Sequence, residues 1–402
     1  MFRVHDPFRR GQLAIAALFC SLGFQYATWA SRLPAIKAHL GLGSAEVGLL
    51  LMATGVGAAA SFPLVAALMR RVGSRRLSLV SALGLTLLLF AMAAAPDYPV
   101  ALLVMACDGV LVGCLNVAMN AQGAALEARH ERNAMARLHA TFSAGSLGAA
   151  LLASGMNALT STVAVHFAVA AVLLLLLLGS ARSGLLADDP TAAEKKNEDE
   201  AAGRKRGGWA FPARMTLWMG LAMAFGTVTE GAMNDWSALY MKDVAKASAE
   251  LAPMGIAVVS VMMVLARLFA DGWRSRWGDG RIVKAGSALA GLGLALALLS
   301  GGVVPALLGF ACVGLGIAAV TPCVYVAAAG QGSDALTLVA TMGTTGLLAG
   351  PPVIGFIANG SSLVWGLAAV AGSAFVVSLC STRIRWTAPE PLAAGELAHE
   401  PA

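Results

Sequence analysis

The stretch Phe225–Tyr240, FGTVTEGAMNDWSALY, sets Glu230 and Asp235 inside an apolar run that begins near 214. Inserting an acidic residue at the centre of a bilayer costs roughly 2.5 to 3.5 kcal/mol, so such residues face a bundle interior or a watery cavity. Glu230 and Asn234 are four apart and share one helix face. Two readings of these acids stand side by side. One is a functional carboxylate within the membrane; the other is a structural ion pair or a helix end that reaches water, which weighs more for Asp235, nearer the end of the run.

The rest of the chain fits a helix of this kind. Of the 402 residues, 58% are hydrophobic and 12% charged, a balance that leaves too little polar surface for a soluble domain. Mean hydropathy is +0.74. The formal net charge of +6 is gathered in short clusters between apolar runs, as orientation in a membrane requires, and implies no nucleic-acid partner. The six cysteines lie in or beside apolar segments without metal-ligand spacing and read as small buried hydrophobes, so no cofactor or metal is expected. The first apolar run contains Gln25 and Tyr26 and is followed by many more, so it reads as a first membrane helix and not as a cleaved leader.

Runs long enough to span a bilayer fall at 11–31, 45–69, 77–95, 99–126, 135–157, 161–181, 214–240, 252–273, 282–302, 304–329, 336–358 and 362–381. The expected fold is all-α, with twelve transmembrane helices. Counted by alternate loops, 24 of the 28 Lys and Arg fall on one side, which places both termini in the cytoplasm and the protein in a plasma membrane. Residues 182–213 carry both charge signs without an apolar period and read as a solvated cytoplasmic linker between halves at 1–181 and 214–385; residues 386–402 form a cytoplasmic tail.

The halves repeat. WASRLP from Trp29 is echoed by WSALY from Trp236, ACDG from Ala106 by ACVG from Ala311, SALGL from Ser81 by SALAGLGL from Ser287, and RRVG by SRWG, at offsets of 205 to 207. Such an offset implies two six-helix units in the same orientation, a plan whose solute site lies between the halves near the midplane. By this repeat Arg32 and Asp235 sit near the outer ends of equivalent helices and are placed to pair as an outer gate.

Together, twelve helices, a six-plus-six repeat, a charged central linker and the Arg-rich loop ALMRRVGSRR after helix 2 resemble the major facilitator superfamily over essentially the whole chain. That family's signature loop usually carries an acid where Arg70 stands here; the second copy, RLFADGWRSRWG, keeps Asp271, and the resemblance implies a cytoplasmic lock there. GCLNVAMNAQ from Gly113 and RLHATFSAGSLGAAL from Arg137 resemble the fucose permease branch, with Asn116 and Ala27 where that branch carries its two coupling acids. The helix 5 His and the EGAMNDW pattern are closer to the YbjJ type of bacterial inner-membrane protein. The resemblance thus implies a bacterial inner-membrane transporter working as a monomer.

A transporter that alternates its access needs midplane polar groups to replace a solute's hydration, and usually one titratable group linked to binding or rocking. Glu230, Asp108 and His139 are the proton-coupling candidates. Gln25, Tyr26, Trp29, Asn116, Asn120, Asn234, Thr321 and Tyr325 are the solute-binding candidates, and Arg32, Asp235 and Asp271 the gating ones. Amides beside an aromatic ring suit an uncharged polyhydroxy solute; the alternative for each amide is an interhelical hydrogen bond. His139 either titrates or simply bonds a neighbouring helix. No Walker loop, zinc spacing or nucleophile constellation occurs, which argues against ATP-driven pumping and against an enzyme. The expected function is proton-linked secondary transport of a small organic solute, preferably sugar-like. Drug or metabolite efflux by proton antiport is one alternative, and a non-transporting membrane receptor with the same fold is another.

Overall fold

A computed structural model describes residues 6–132, 134–187 and 214–386. Most of the proposed linker and nearly all of the proposed tail fall outside these residues. The elements are α1 (Pro7–Ser31), α2 (Leu33–His39), α3 (Ser44–Ala60), α4 (Phe62–Ala93), α5 (Tyr98–His130), α6 (Met135–Leu159), α7 (Val163–Ala181), α8 (Arg214–Leu239), α9 (Met254–Trp277), α10 (Asp279–Ser300), α11 (Val303–Ile317), α12 (Val320–Ala329), α13 (Ser333–Gly360) and α14 (Leu363–Ser381). A π-helical turn, Tyr240–Val244, extends α8. Each of the twelve expected runs is helical over most of its length.

Among the described residues nine helices, with α11 and α12 taken together as one, are long and apolar enough to cross a membrane, and ten if α2 and α3, bent by 120°, form one span. The remaining two expected spans are α8, whose polar residues lower its hydropathy, and α9, which is apolar over Met254–Ala270. Local chemistry sets the helix starts. Asp6 accepts from the Phe8 N–H at 2.9 Å with Pro7 opening α1, and Asp97 accepts from the Val100 N–H at 3.0 Å with Pro99 near the start of α5. Inside α4, Gly73 turns to φ 77° and ψ 167°, and between α9 and α10 Gly278 turns to φ 78° and ψ 151°. Both conformations suit glycine, which lacks a Cβ, and the two residues end the repeated RRVG and SRWG segments.

Backbone contact at glycine holds the bundle together. A Cβ on Gly23 would lie 2.0 Å from the Phe142 carbonyl oxygen, one on Gly145 2.2 Å from that of Cys20, and one on Gly346 2.2 Å from that of Ala224. The first two lock α1 to α6 and the third locks α8 to α13, the corresponding pair in the second half. Without a hydrophobic force between helices in lipid, such close van der Waals approach drives association. Across the halves, α3 packs on α13 and α6 on α9. The Gly355 backbone approaches Ser44 so closely that a Cβ would stand 2.7 Å from its carbonyl.

One stability prediction follows. Overpacking costs roughly 1 to 3 kcal/mol where side chains can shift, and a backbone carbonyl shifts less readily. Gly23→Ala is therefore expected to lower the detergent melting temperature strongly, whereas Gly155→Ala, with nothing within 4 Å of the added carbon, should be neutral or slightly stabilising. Equal melting temperatures for the two variants would show that the α1–α6 contact is not tight.

Candidate functional site

Polar contacts descend into the bundle from the end at which α1 finishes and α9 begins. Outermost, Lys37 Nζ on α2 meets Asp243 Oδ2 at 2.6 Å. Beside this pair, Ser154 Oγ donates to the Glu250 carbonyl at 2.6 Å and Asn157 Nδ2 to that of Ala249 at 2.8 Å. All three contacts join the first half to the second, so this end is closed.

Deeper in, the Tyr26 hydroxyl donates to Asp235 Oδ1, joining α1 to α8, and its ring meets Trp29 edge-on at 5.0 Å. Tyr26 and Asp235 stand five and four residues before the ends of their helices, about 6 to 8 Å down at 1.5 Å per residue. Next comes a clasp between α1 and α5, in which Gln25 Nε2 donates to Asp108 Oδ1 at 2.8 Å. Both residues are buried, at 2% and 3% exposure, and Gln25 Oε1 and Asp108 Oδ2 have no partner among the described residues. Glu230, about 13 Å below the end of α8, pairs through Oε1 with Arg267 Nη2 at 3.2 Å, while Arg267 Nη1 donates to Ser143 on α6 at 2.6 Å. Arg267 thus reaches from the second half to the first.

The remaining candidates are distributed as follows. Asn120 Nδ2 donates to Asn116 Oδ1 at 2.6 Å, an amide pair on the accessible side of α5. Asn234 Nδ2 bonds the Glu230 carbonyl at 3.2 Å, within its own helix. Trp29 is buried, and its indole N–H, like that of Trp236, has no partner among the described residues. Thr321 and Tyr325 lie half-buried on α12, one turn apart. His139 packs edge-on against Phe19 at 4.9 Å, one turn before Ser143 on α6. Asp271 falls on α9, but its side chain lies outside the described set.

One expectation needs correction. The Arg32–Asp235 gate pair is not formed. Arg32, 3% exposed, donates from Nε to His166 Nδ1 on α7 at 3.0 Å and from Nη2 to the Thr160 carbonyl at 3.4 Å. At 100° per residue, the six residues from Tyr26 to Arg32 turn the side chain about 120° around the helix, away from α8. Glu230 has a cation beside it from the neighbouring helix. That cation, Arg267, lies inside the apolar part of α9.

Comparison with known proteins sets this geometry in a family. The model of the Major Facilitator Superfamily matches residues 13–332. The chain belongs to that superfamily. An uncharacterized MFS-type transporter of Yersinia pestis is 32% identical over 366 residues, covering 88% of this chain and 90% of the relative. The membrane protein MosC of Rhizobium meliloti is 29% identical over 94% of this chain and 92% of its own length. Among solved structures, a D-xylose–proton symporter superposes with a TM-score of 0.73 at 15% identity, covering 94% of this chain and 97% of that one. The nucleoside transporter NupG gives 0.68 at 14% identity, over 94% and 98%. These two likenesses establish the fold. As a superfamily member, the chain is a multi-span membrane transporter.

Within this transporter, sequence reasoning passed over Arg267, Ser143, His166 and the Lys37–Asp243 pair. Arg267 could have been found by the rule that singled out Glu230, since it is an ion inside an apolar run. His166 carries the same signal more weakly. The partnership of Lys37 and Asp243 needs the closed geometry of this end of the bundle, although the two residues stand 206 positions apart, within the repeat offset.

The Lys37–Asp243 pair invites a charge-reversal test. Its side chains are 25% and 38% exposed, so after allowance for solvent screening the pair contributes at most about 1 kcal/mol, roughly a fivefold shift between the open and closed forms of this end. Lys37→Asp alone should lengthen the distance between spin labels at Leu159 and Ser248, and Lys37→Asp with Asp243→Lys should restore it. Failure of the double variant to recover would remove this pair from the gate.

Proposed function

We propose that this transporter moves a small, uncharged, sugar-like organic solute by alternating access, with proton linkage through Asp108. What carries the proton linkage is the clasp between Gln25 and Asp108. One hydrogen bond satisfies one atom of each side chain and leaves Gln25 Oε1 and Asp108 Oδ2 buried without partners. A buried unsatisfied polar atom costs about 1 to 3 kcal/mol. One proton on Oδ2 offers a donor to Oε1, closing a two-bond ring between acid and amide that satisfies both atoms. Loss of that proton leaves a carboxylate with one donor, a change that can bias the packing of α1 on α5. Glu230 already has a cation at 3.2 Å and fits a binding role better than a coupling role.

Side chains support the solute class. Glu230 and Arg267, 27% and 21% exposed, present acceptors and donors side by side, and the Asn116–Asn120 amides add both kinds. Such a set can exchange hydrogen bonds with several hydroxyls. The solved neighbours named for D-xylose and for a nucleoside share the fold, and one fold hosts many cargoes, so their names add little. In this reading residues 1–181 and 214–385 rock about the site in a monomer, in a bacterial inner membrane. Residues 182–213, 386–402 and the amino terminus face the cytoplasm, supported by the skew of positive charge.

Thermal-shift screening of purified protein against sugars, polyols, nucleosides and organic cations at two pH values tests the solute class, because a ligand stabilises the state it binds. A polyhydroxy hit whose shift depends on pH is expected. Stabilisation by hydrophobic cations alone would overturn the reading in favour of proton-antiport efflux, and Glu230 would then be the acid that selects the cation.

A further inference from the structure

We propose that the groove between α9, α10 and α11, at the end of the bundle nearest the chain termini, is a binding site for one anionic phospholipid. The groove, about 280 Å³, is floored by Ala266, Ala285, Gly286, Gly316 and Ala319 and walled by Trp273, Trp277, Leu289 and Leu315. Its depth comes from a glycine crossing, since a Cβ on Gly286 would stand 2.4 Å from the Gly316 carbonyl, so the helices meet at their backbones and leave a furrow above. The lining is nearly all hydrocarbon and matches an acyl chain.

Charge at one end of the groove selects the headgroup. Arg281 lines it, and Arg276 stacks over the Trp277 ring at 5.9 Å. Asp279, the carboxylate next to Arg281, is already held by Arg274 through two bonds of 2.8 and 3.1 Å. Among the described side chains Arg281 and Arg276 have no carboxylate partner, and Lys284 stands exposed one turn further on. The rings of Phe269, Trp273 and Trp277 form a stacked ladder with centroids 6.0 and 6.3 Å apart. Tryptophan concentrates at headgroup level, which sets the arginines at the height of a phosphate. Basic pockets between transmembrane helices bind anionic headgroups by this combination of a cation and an adjoining apolar cleft.

Native mass spectrometry of the full-length protein, delipidated in detergent and supplied with phosphatidylglycerol or phosphatidylcholine, tests the site. Wild type is expected to retain one phosphatidylglycerol under activation that strips phosphatidylcholine. Affinity for phosphatidylglycerol should fall about fivefold in Arg281→Gln and about thirtyfold in Arg276→Gln/Arg281→Gln, with phosphatidylcholine unchanged. Both arginines are exposed, so the variants should fold, and their lipid-free melting temperatures check this. Ala285→Leu fills the furrow and leaves the charges, and should weaken phosphatidylglycerol as well. Equal retention of the two lipids by wild type, or undiminished phosphatidylglycerol binding in the double arginine variant, would reduce the groove to ordinary lipid-facing surface. Loss in the arginine variants without loss in Ala285→Leu would overturn the acyl-chain half of the proposal, leaving a phosphate contact only.

Discussion

Asp108→Asn is expected to abolish accumulation of solute against its gradient while leaving exchange down the gradient intact. Asparagine keeps the Oδ1 acceptor that Gln25 bonds at 2.8 Å and replaces Oδ2 by an NH2 that can donate to Gln25 Oε1. It therefore imitates the protonated acid permanently. Because two buried atoms gain partners, the variant should melt no lower than wild type, which separates loss of coupling from loss of folding. Proteoliposomes with an imposed pH gradient supply the accumulation assay, and counterflow supplies the exchange assay. Glu230→Gln is the comparison, expected to weaken solute binding but to keep whatever pH dependence remains. If Asp108→Asn accumulates normally while Glu230→Gln exchanges without accumulating, the coupling acid is Glu230.

The second large effect is expected at Arg267. Removing one partner of a fully buried pair costs about 3 to 5 kcal/mol; here the side chains are 21% and 27% exposed, and screening brings the figure nearer about 1 to 3 kcal/mol. Arg267→Met leaves the Glu230 carboxylate without its cation and also deletes the bond to Ser143 on the other half. Replacing both charges, Arg267→Met with Glu230→Met, removes the stranded ion and should recover most of the lost melting temperature. Should the double variant melt as low as the single, the pair is not what the arginine stabilises, and the bond across the halves to Ser143 becomes the explanation.

Much of the fold was legible in the chain because a bilayer leaves few choices. Backbone groups must be satisfied within each span, so apolar run length and the spacing of Lys and Arg are enough to locate the helices. The repeat was legible too, and Gly73 and Gly278 show why, since both keep a backbone angle that favours glycine. The polar residues inside the apolar runs are legible in the sequence, and their pairings are not. Asp108, Gln25 and Tyr26 were named from polarity alone, yet their partners depend on how each helix is rotated, and sequence with a period of 3.6 fixes depth far better than azimuth. Arg32 shows the cost, lying toward the same end of the bundle as Asp235 while pointing at His166. Arg267 was missed for a different reason: it stands near the charged end of its apolar run, although α9 continues to Trp277.

The ion pair between Lys37 and Asp243 also bears on how such a chain arose. Its members are 206 positions apart, within the repeat offsets of 205 to 207, so by the sequence repeat they stand at corresponding positions in the two halves. In a symmetric dimer of identical six-helix proteins, corresponding positions that meet carry the same residue. Two lysines or two aspartates would then confront each other and hold this end of the bundle apart. Attraction at this point requires the halves to differ, which a single gene encoding both can achieve and a symmetric pair of identical subunits cannot. Fusion of the halves thus permits a latch of opposite charges between corresponding positions.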